Sequence, residues 1–280
     1  MILGIDHVGI YVRNLDSSVA DIALVLGSAP SWRGTIGEYR HAWFQLSNVA
    51  LDVIAPVGNG GAAQKTREYL QKHGEGIWGI GFAVRDLEGA RCVLTRRGLE
   101  ILEPGITHSI NERGERREWR IAMTRRASTG GLTVFFVEQS SDGAAVPAPA
   151  DNAVTGLDHV VINTSNPDRA AAIYGARLGL DLRLDRSNSQ WGSRLQFFRC
   201  GDAIVEVGSK LNAELDGRPD HFGGLAWRVR SASSVHSRLA AAGVDVSELR
   251  QGRKPGTQVF TVRSGTANVP TLMLEATEPA

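Results

Sequence analysis

The residues best suited to chemistry are two histidines that each follow an aspartate inside an apolar run, together with carboxylates set within later strand-like runs. Asp6 and His7 lie in Ile5-Asp-His-Val-Gly-Ile10, and Asp158 and His159 lie in Leu157-Asp-His-Val-Val-Ile162. Imidazole and carboxylate are the groups that hold divalent metals or pass protons near neutral pH. Further along, Glu206 stands within a strand-like run over residues 203–207 and Glu275 within one over 271–276. Alternation puts Ile204 with Glu206, and Met273 with Glu275, on the concave faces of their strands, leaving Leu272 and Leu274 to point toward a covering helix. A lone buried carboxylate in mid-strand is costly and calls for a partner. The plainer alternatives are ion pairs of the two glutamates with Arg194, Arg199 or Arg228, and histidines that only hydrogen-bond within the strand starts.

The elements that must position these residues recur along the chain. Gly4-Ile-Asp-His-Val-Gly-Ile-Tyr11, Ile77-Trp-Gly-Ile-Gly-Phe-Ala-Val84, Gly156-Leu-Asp-His-Val-Val-Ile-Asn163 and Gly223-Gly-Leu-Ala-Trp-Arg-Val229 are four versions of one stretch. A polar break, a helical run and a terminating glycine (Gly27, Gly98, Gly179, Gly243) follow them in turn,. In the first copy Ile5, His7, Gly9 and Tyr11 share a strand face, and Asp16 or Ser17 caps the helix that ends at Leu26. The pattern predicts an α+β chain of four βαβββ modules, over residues 1–57, 74–139, 156–210 and 221–280. Residues 140–155, rich in Ala, Pro, Ser and Asp, read as a linker between domains 1–139 and 156–280. Paired modules would curl their sheets into open cups, each around a cavity.

Composition narrows the field. With 280 residues, 42% of them apolar, the chain fills ordinary cores, and a net charge of +1 gives no reason to expect nucleic acid or anionic membrane as a partner,. No apolar run reaches the ~18 residues of a membrane span. The two cysteines, Cys92 and Cys200, are isolated. With no leader pattern at the start, a cytoplasmic protein is expected.

These repeats resemble the vicinal oxygen chelate superfamily of glyoxalase I, methylmalonyl-CoA epimerase, extradiol dioxygenases and bleomycin-resistance proteins. The resemblance rests on Ile5-Asp-His-Val-Gly-Ile10, Gly74-Glu-Gly-Ile-Trp-Gly-Ile-Gly-Phe82 and Leu157-Asp-His-Val-Val-Ile162, and it extends over nearly the whole chain. It implies two glyoxalase-like domains and one divalent metal (Zn, Ni, Co, Mn or Fe), or none, held by side chains of the first and last strands of paired modules. Carried over residue by residue, the first half keeps His7 and a shortened Asp52, with Gly79 and Phe135 where ligands are expected. The second half keeps His159, Glu206 and Glu275, with Gly224 at the third place and His221 nearby as a candidate substitute.

The resulting expectation is a lyase- or isomerase-type enzyme of the glyoxalase and epimerase kind. A metal, or a His/Glu acid–base pair, would act on a small oxygen-rich substrate, with Glu275 or Glu206 as the base. Arg253, Lys254, Trp191 and Phe198 are expected to bind substrate, and His7 with Asp52 to form a secondary site. An extradiol ring-cleaving dioxygenase and a metal-free binding or resistance protein stay open as alternatives, as does a homodimer. Arg117 and Arg120 could hold an anionic group in the first cup. The Gly58-x-Gly60-x-x-Ala63 pattern mimics a dinucleotide fingerprint, but lies in a βαβββ rather than a βαβ setting.

Overall fold

The structure, a computed structural model, describes residues 1–139, 149–212 and 217–276. Its first half comprises β1 (Ile2–Tyr11), α1 (Leu15–Leu26), β2 (Trp32–Ile36), β3 (Tyr39–Gln45), β4 (Ala50–Pro56), α2 (Gly61–His73), β5 (Gly76–Val84), α3 (Leu87–Arg96), β6 (Gly105–Ile110), β7 (Arg116–Met123) and β8 (Val134–Glu138). The second half holds β9 (Val154–Asn163), α4 (Pro167–Ala171) running into a π-helical turn at Ala172–Arg177, β10 (Asp181–Asn188), β11 (Ser193–Cys200), β12 (Ala203–Lys210) and β13 (His221–Val229). It closes with α5 (Ala232–Ala241), β14 (Arg250–Gln251), β15 (Thr257–Val262) and β16 (Thr271–Ala276). Most of the segment expected as a linker, residues 140–148, lies outside the described residues.

Each helix that follows a long first strand starts on the same device. Asn14, Asp86, Asn166 and Ser231 accept the backbone N–H three residues on, satisfying a donor with no partner in the first turn,. In the first helix the cap is Asn14, not Asp16 or Ser17. Gly27 takes φ 73° at the helix end, a conformation glycine adopts without strain,. Gly60 precedes α2, and the Glu38 carboxylate accepts the Ala63 N–H at 2.7 Å. A side chain of the protein thus occupies the helix end that a nucleotide phosphate would need.

The two sheets close differently. The first runs β1-β4-β3-β2-β6-β7-β8-β5 and returns to β1 as a closed barrel, where an open cup was expected. Its seam is the meeting of Thr35 on β2 with Ile110 on β6. The Thr35 hydroxyl donates to the Ile110 carbonyl at 3.2 Å, and the Trp32 indole N–H to Ser109 Oγ at 2.8 Å. Gly34 allows this approach, since a Cβ there would lie 2.3 Å from Ser109 Oγ. The second sheet, β10-β11-β12-β9-β13-β16-β15-β14, is an open trough. Its edges are a two-residue strand and an exposed one, β14 and β10.

One apolar core runs through both halves on the helix-facing sides of the sheets, including Val8, Ile10, Phe136, Val160, Ile162 and Met273. Asn48 joins the halves by bonding both the N–H and the carbonyl of Leu157 at 2.8 Å. Arg238 does so by donating to the Leu24 and Val25 carbonyls at the end of α1, where a cation suits the helix dipole. No described helix is long and apolar enough to cross a membrane.

Candidate functional site

The paired Asp-His starts owe their geometry to irregular strand pairing. The β1–β5 register shifts between Ile5 and His7, and the β9–β13 register between His159 and Leu157. Such bulges break strict alternation and re-aim side chains. Ile5 therefore joins Val8 and Ile10 in the main core instead of sharing a face with His7, as plain alternation predicted. Each aspartate then reaches its neighbouring ring, with Asp6 Oδ1 2.6 Å from His7 Nδ1 and Asp158 Oδ1 2.8 Å from His159 Nδ1.

In the second half this anchoring continues as a chain of paired groups. Arg228 Nε lies 3.3 Å from Asp158, and His159 Nε2 lies 3.3 Å from Glu206 Oε2. The parallel register of β9 with β12 sets Ile204 beside His159, so that Glu206 comes within reach of the ring. Both side chains are largely buried, at 16% exposure each. Burial pushes the Glu206 carboxyl above the ordinary carboxylate range; His159 and Arg253 oppose the shift without cancelling it. Asp158 is held low: burial works against its charge, but the hydrogen bond from His159 and the Arg228 guanidinium prevail. The arginines offered as plain partners of Glu206 are engaged elsewhere. Arg194 pairs with Asp185 and Asp168, Arg228 with Asp158 and Asp202, and Arg199 donates to the Gly201 carbonyl.

Other expected members of this site go elsewhere. Glu275 accepts the Ala232 N–H at 2.6 Å, at the start of α5. It therefore stands on the helix side of β16, not beside His159 and Glu206. Met273 is fully buried in the core, while Leu272 and Leu274 are partly exposed, so the two faces of this strand are the reverse of those expected. The equivalent residue of the first half is Glu138, which accepts the Leu87 N–H at 2.9 Å. By strand register the counterpart of Phe135 is Leu272, since Gly81 faces Phe135 where Ala226 faces Leu272. Phe198 is also corrected: it is wholly buried against Tyr174, at 5.8 Å between rings, and lines no binding surface. Trp191 is exposed and carries the Arg253 guanidinium 4.5 Å from its ring centroid, while Lys254 is an exposed turn residue.

The donors present do not fit a resident metal. Catalytic sites draw on three protein ligands, and no cluster of three or more His, Cys, Asp or Glu side chains suited to one occurs among the described residues. Gly224 cannot be replaced by the histidine the superfamily would place there. Its φ is 145°, and a Cβ would lie 2.4 Å from the Pro270 carbonyl oxygen. His221, the candidate substitute, has its Nε2 3.4 Å from Asn163 Nδ2 and lines a cleft between the halves.

The first half converts the same layout into an aromatic chamber. Asp52 meets not His7 but His41, at 2.6 Å, and His41 Nε2 lies 2.7 Å from Ser109 Oγ, all three side chains being buried. Around them a cavity of about 180 Å³ is lined by His7, Tyr11, Tyr39, Trp43, Trp78, Trp119 and Phe135, among others. Burial, aided by the nearby Tyr39 hydroxyl, pushes Tyr11 up to about 12. Arg117 lies outside this chamber, over Trp32 at 4.3 Å, and Arg120 is held by Glu88 and Glu138. Sequence reasoning missed His41, Trp43, Trp78 and Trp119. The available signal was the alternation Tyr39, His41, Trp43, with four of six tryptophans in the first half.

A family model described as a glyoxalase-like domain matches residues 5–179, and one described as the glyoxalase, bleomycin resistance protein and dioxygenase superfamily matches residues 156–267. The chain belongs to the glyoxalase-like family, within the vicinal oxygen chelate superfamily, as a two-domain member. Similar solved structures agree on the fold. A triple mutant of 4-hydroxymandelate synthase from Streptomyces coelicolor superposes with TM-score 0.69 at 13% identity, over 100% of this chain and 95% of the other. The Mn(II)-bound glyoxalase from Novosphingobium aromaticivorans gives 0.67 at 15%, over 98% and 82%. A hypothetical protein from Staphylococcus aureus gives 0.65 at 10%, over 97% and 98%. No curated protein matches the chain.

Proposed function

We propose that the protein is a proton-transfer enzyme of the glyoxalase and epimerase type, in which His159 and Glu206 act as an acid–base pair on a small oxygen-rich substrate. The observation that carries this reading is the buried His159–Glu206 pair, 3.3 Å apart, with the other ring nitrogen committed to Asp158. A carboxylate only accepts, so His159 Nδ1 carries a hydrogen toward Asp158. In the neutral ring Nε2 is then a lone pair, and an ionised Glu206 offers lone pairs too. The two sit comfortably only when they share one proton. A pair that carries one proton can take a second from carbon beside a carbonyl and return it to a neighbouring atom, which is the core step of an isomerase or lyase. The raised Glu206 carboxyl strengthens it as a base toward such a carbon acid.

Arg253, stacked on Trp191 and close enough to influence Glu206, supplies a cation at the edge of the trough for a carboxylate or phosphate on the substrate,. The dioxygenase alternative would need a second histidine where Gly224 stands, and that position has room for no side chain. The proposed proton transfer uses the His159 and Glu206 side chains themselves.

The test is solvent-deuterium incorporation, followed by NMR, at the carbon next to the carbonyl in a panel of thiol adducts of 2-oxoaldehydes and 2-substituted acyl thioesters. Wild-type protein should exchange at least one member of the panel, and Glu206→Gln and His159→Ala should each lose the exchange by ~100-fold or more. Equal rates in wild type and both variants would rule the dyad out.

A further inference from the structure

The second-half dyad is backed by an arginine that the first half lacks. Arg228 uses all three nitrogens of its guanidinium. Its Nε donates to Asp158 Oδ2 at 3.3 Å, one terminal nitrogen to Asp202 Oδ2 at 2.7 Å, and the other to the Asp202 carbonyl. Asp158 thereby has both oxygens engaged, Oδ2 by Arg228 and Oδ1 by His159 Nδ1 at 2.8 Å. A carboxylate held at both oxygens keeps one orientation, and so does the ring bonded to it.

Strand register identifies what stands in these places in the first half. His7 faces Gly81 and Gly4 faces Ala83, as His159 faces Ala226 and Gly156 faces Arg228, so Ala83 is the counterpart of Arg228. His7 lies beside Ala50 as His159 lies beside Ile204, so Asn48 is the counterpart of Asp202. The Asp-His contact is common to both halves, at 2.6 and 2.8 Å. The arginine and its second aspartate stand only behind the ring that meets a glutamate. Stability does not account for them, since Arg228 is 33% exposed and Asp202 71%, and ion pairs this open contribute little to folding,. The ring does have a need for them. Asp158 and Glu206 face its two nitrogens, and a neutral imidazole has one hydrogen to give,. With that hydrogen on Nε2, the basic lone pair would face Asp158 instead of Glu206. Pinning Asp158 at Nδ1 keeps the hydrogen there and leaves Nε2 open toward Glu206.

We propose that Arg228 is a positioning residue for the proton transfer: it fixes Asp158, and Asp158 fixes the orientation and tautomer of the His159 ring. Arg228 bonds neither His159 nor Glu206 and acts only through Asp158. This role rests on the acid–base reading of His159 and Glu206 and carries it one residue further from the substrate.

Proton NMR of the imidazole Hδ1 resonances in the full-length protein, together with the kinetics of substrate deuterium exchange, tests this. In wild type the His159 Hδ1 should be visible and protected from exchange with water. In Arg228→Met it should exchange about tenfold faster, the effect of losing roughly one hydrogen bond's worth of restraint. The His7 Hδ1, bonded to Asp6 with no arginine behind it, should be unchanged and serves as the internal control. The kcat for substrate exchange should fall about tenfold or more with KM unchanged, and Tm should stay within about 3 °C of wild type. Arg228→Lys keeps the charge but not the three-nitrogen fork; it should behave as Arg228→Met does, and it carries both readouts if Arg228→Met does not fold. The proposal fails if Arg228→Met matches wild type in His159 Hδ1 exchange or in kcat, or if Arg228→Lys restores both. Dyad variants that exchange substrate as fast as wild type would instead sink the acid–base reading, and the Hδ1 rates would still decide whether Arg228 positions the ring.

Discussion

The two halves repeat one order of strands and one Asp-His start, yet they arrive at different environments. In the first, β2 meets β6, the sheet closes, and the shortened Asp52 turns to His41. In the second, the edges stay apart, and the longer Glu206 reaches His159. The change from aspartate to glutamate and the presence of a histidine at position 41 decide which imidazole the carboxylate meets. Closure with aromatic side chains gives a chamber walled largely by rings. The open trough instead holds the buried His159–Glu206 pair on which the proposed proton transfer rests.

The largest expected effect separates the halves by activity. Removing either dyad member should lower proton exchange by about 10²–10⁴-fold, whereas Trp78→Phe should change the exchange rate little. A loss of exchange in Trp78→Phe as deep as in Glu206→Gln would break the division of labour. Stability should show the reverse. Asp52→Ala leaves a buried His41 ring nitrogen without its partner and should cost about 1–3 kcal/mol, read as a lower urea midpoint,. A cost below about 0.5 kcal/mol would mean that the His41–Asp52 contact is no structural tie.

Arg253→Ala should act more mildly, raising KM about tenfold for an anionic substrate while kcat moves little, because the cation sits at the rim,. A kcat loss with unchanged KM would place it in the proton-transfer step. The smallest effect is on pH-dependent stability. The folded carboxyl of Glu206 lies above its unfolded value, so ionising it costs stability as pH rises from the ordinary glutamate range through the folded pKa,. Glu206→Gln removes that loss and should melt at a higher temperature than wild type at pH 8, with the advantage shrinking as pH falls below the ordinary range. Asp158 has the opposite sign: its contribution is present above the ordinary aspartate value and is lost on acidification,.

Much of the fold was legible because its signals are local. The Asp-His strand starts and the glycine helix ends lie within a few residues of what they control, whereas the cap of the first helix, Asn14, lies two residues before the Asp16 that the sequence suggested. The face of Glu275 was not legible. Leu272, Met273 and Leu274 are all apolar, so alternation carries no phase there, and the phase is set by a contact with Ala232 on another element,. The bulges that move Ile5 into the core and aim the histidines arise from cross-strand pairing, which a single run of residues does not display. Closure of the first sheet was hidden for the same reason. Gly34 and Ser109 must meet across the seam, and nothing in the order of residues brings them together.

The most direct test of the dyad needs no substrate: a carbon-13 NMR titration of the Glu206 side-chain carboxyl in wild type and in His159→Ala. The Glu206 carboxyl should titrate above the ordinary value of about 4.3, and higher still in His159→Ala, because the imidazole partly offsets the effect of burial,. A carboxyl that titrates at or below the ordinary value, unmoved by loss of the ring, would contradict the account.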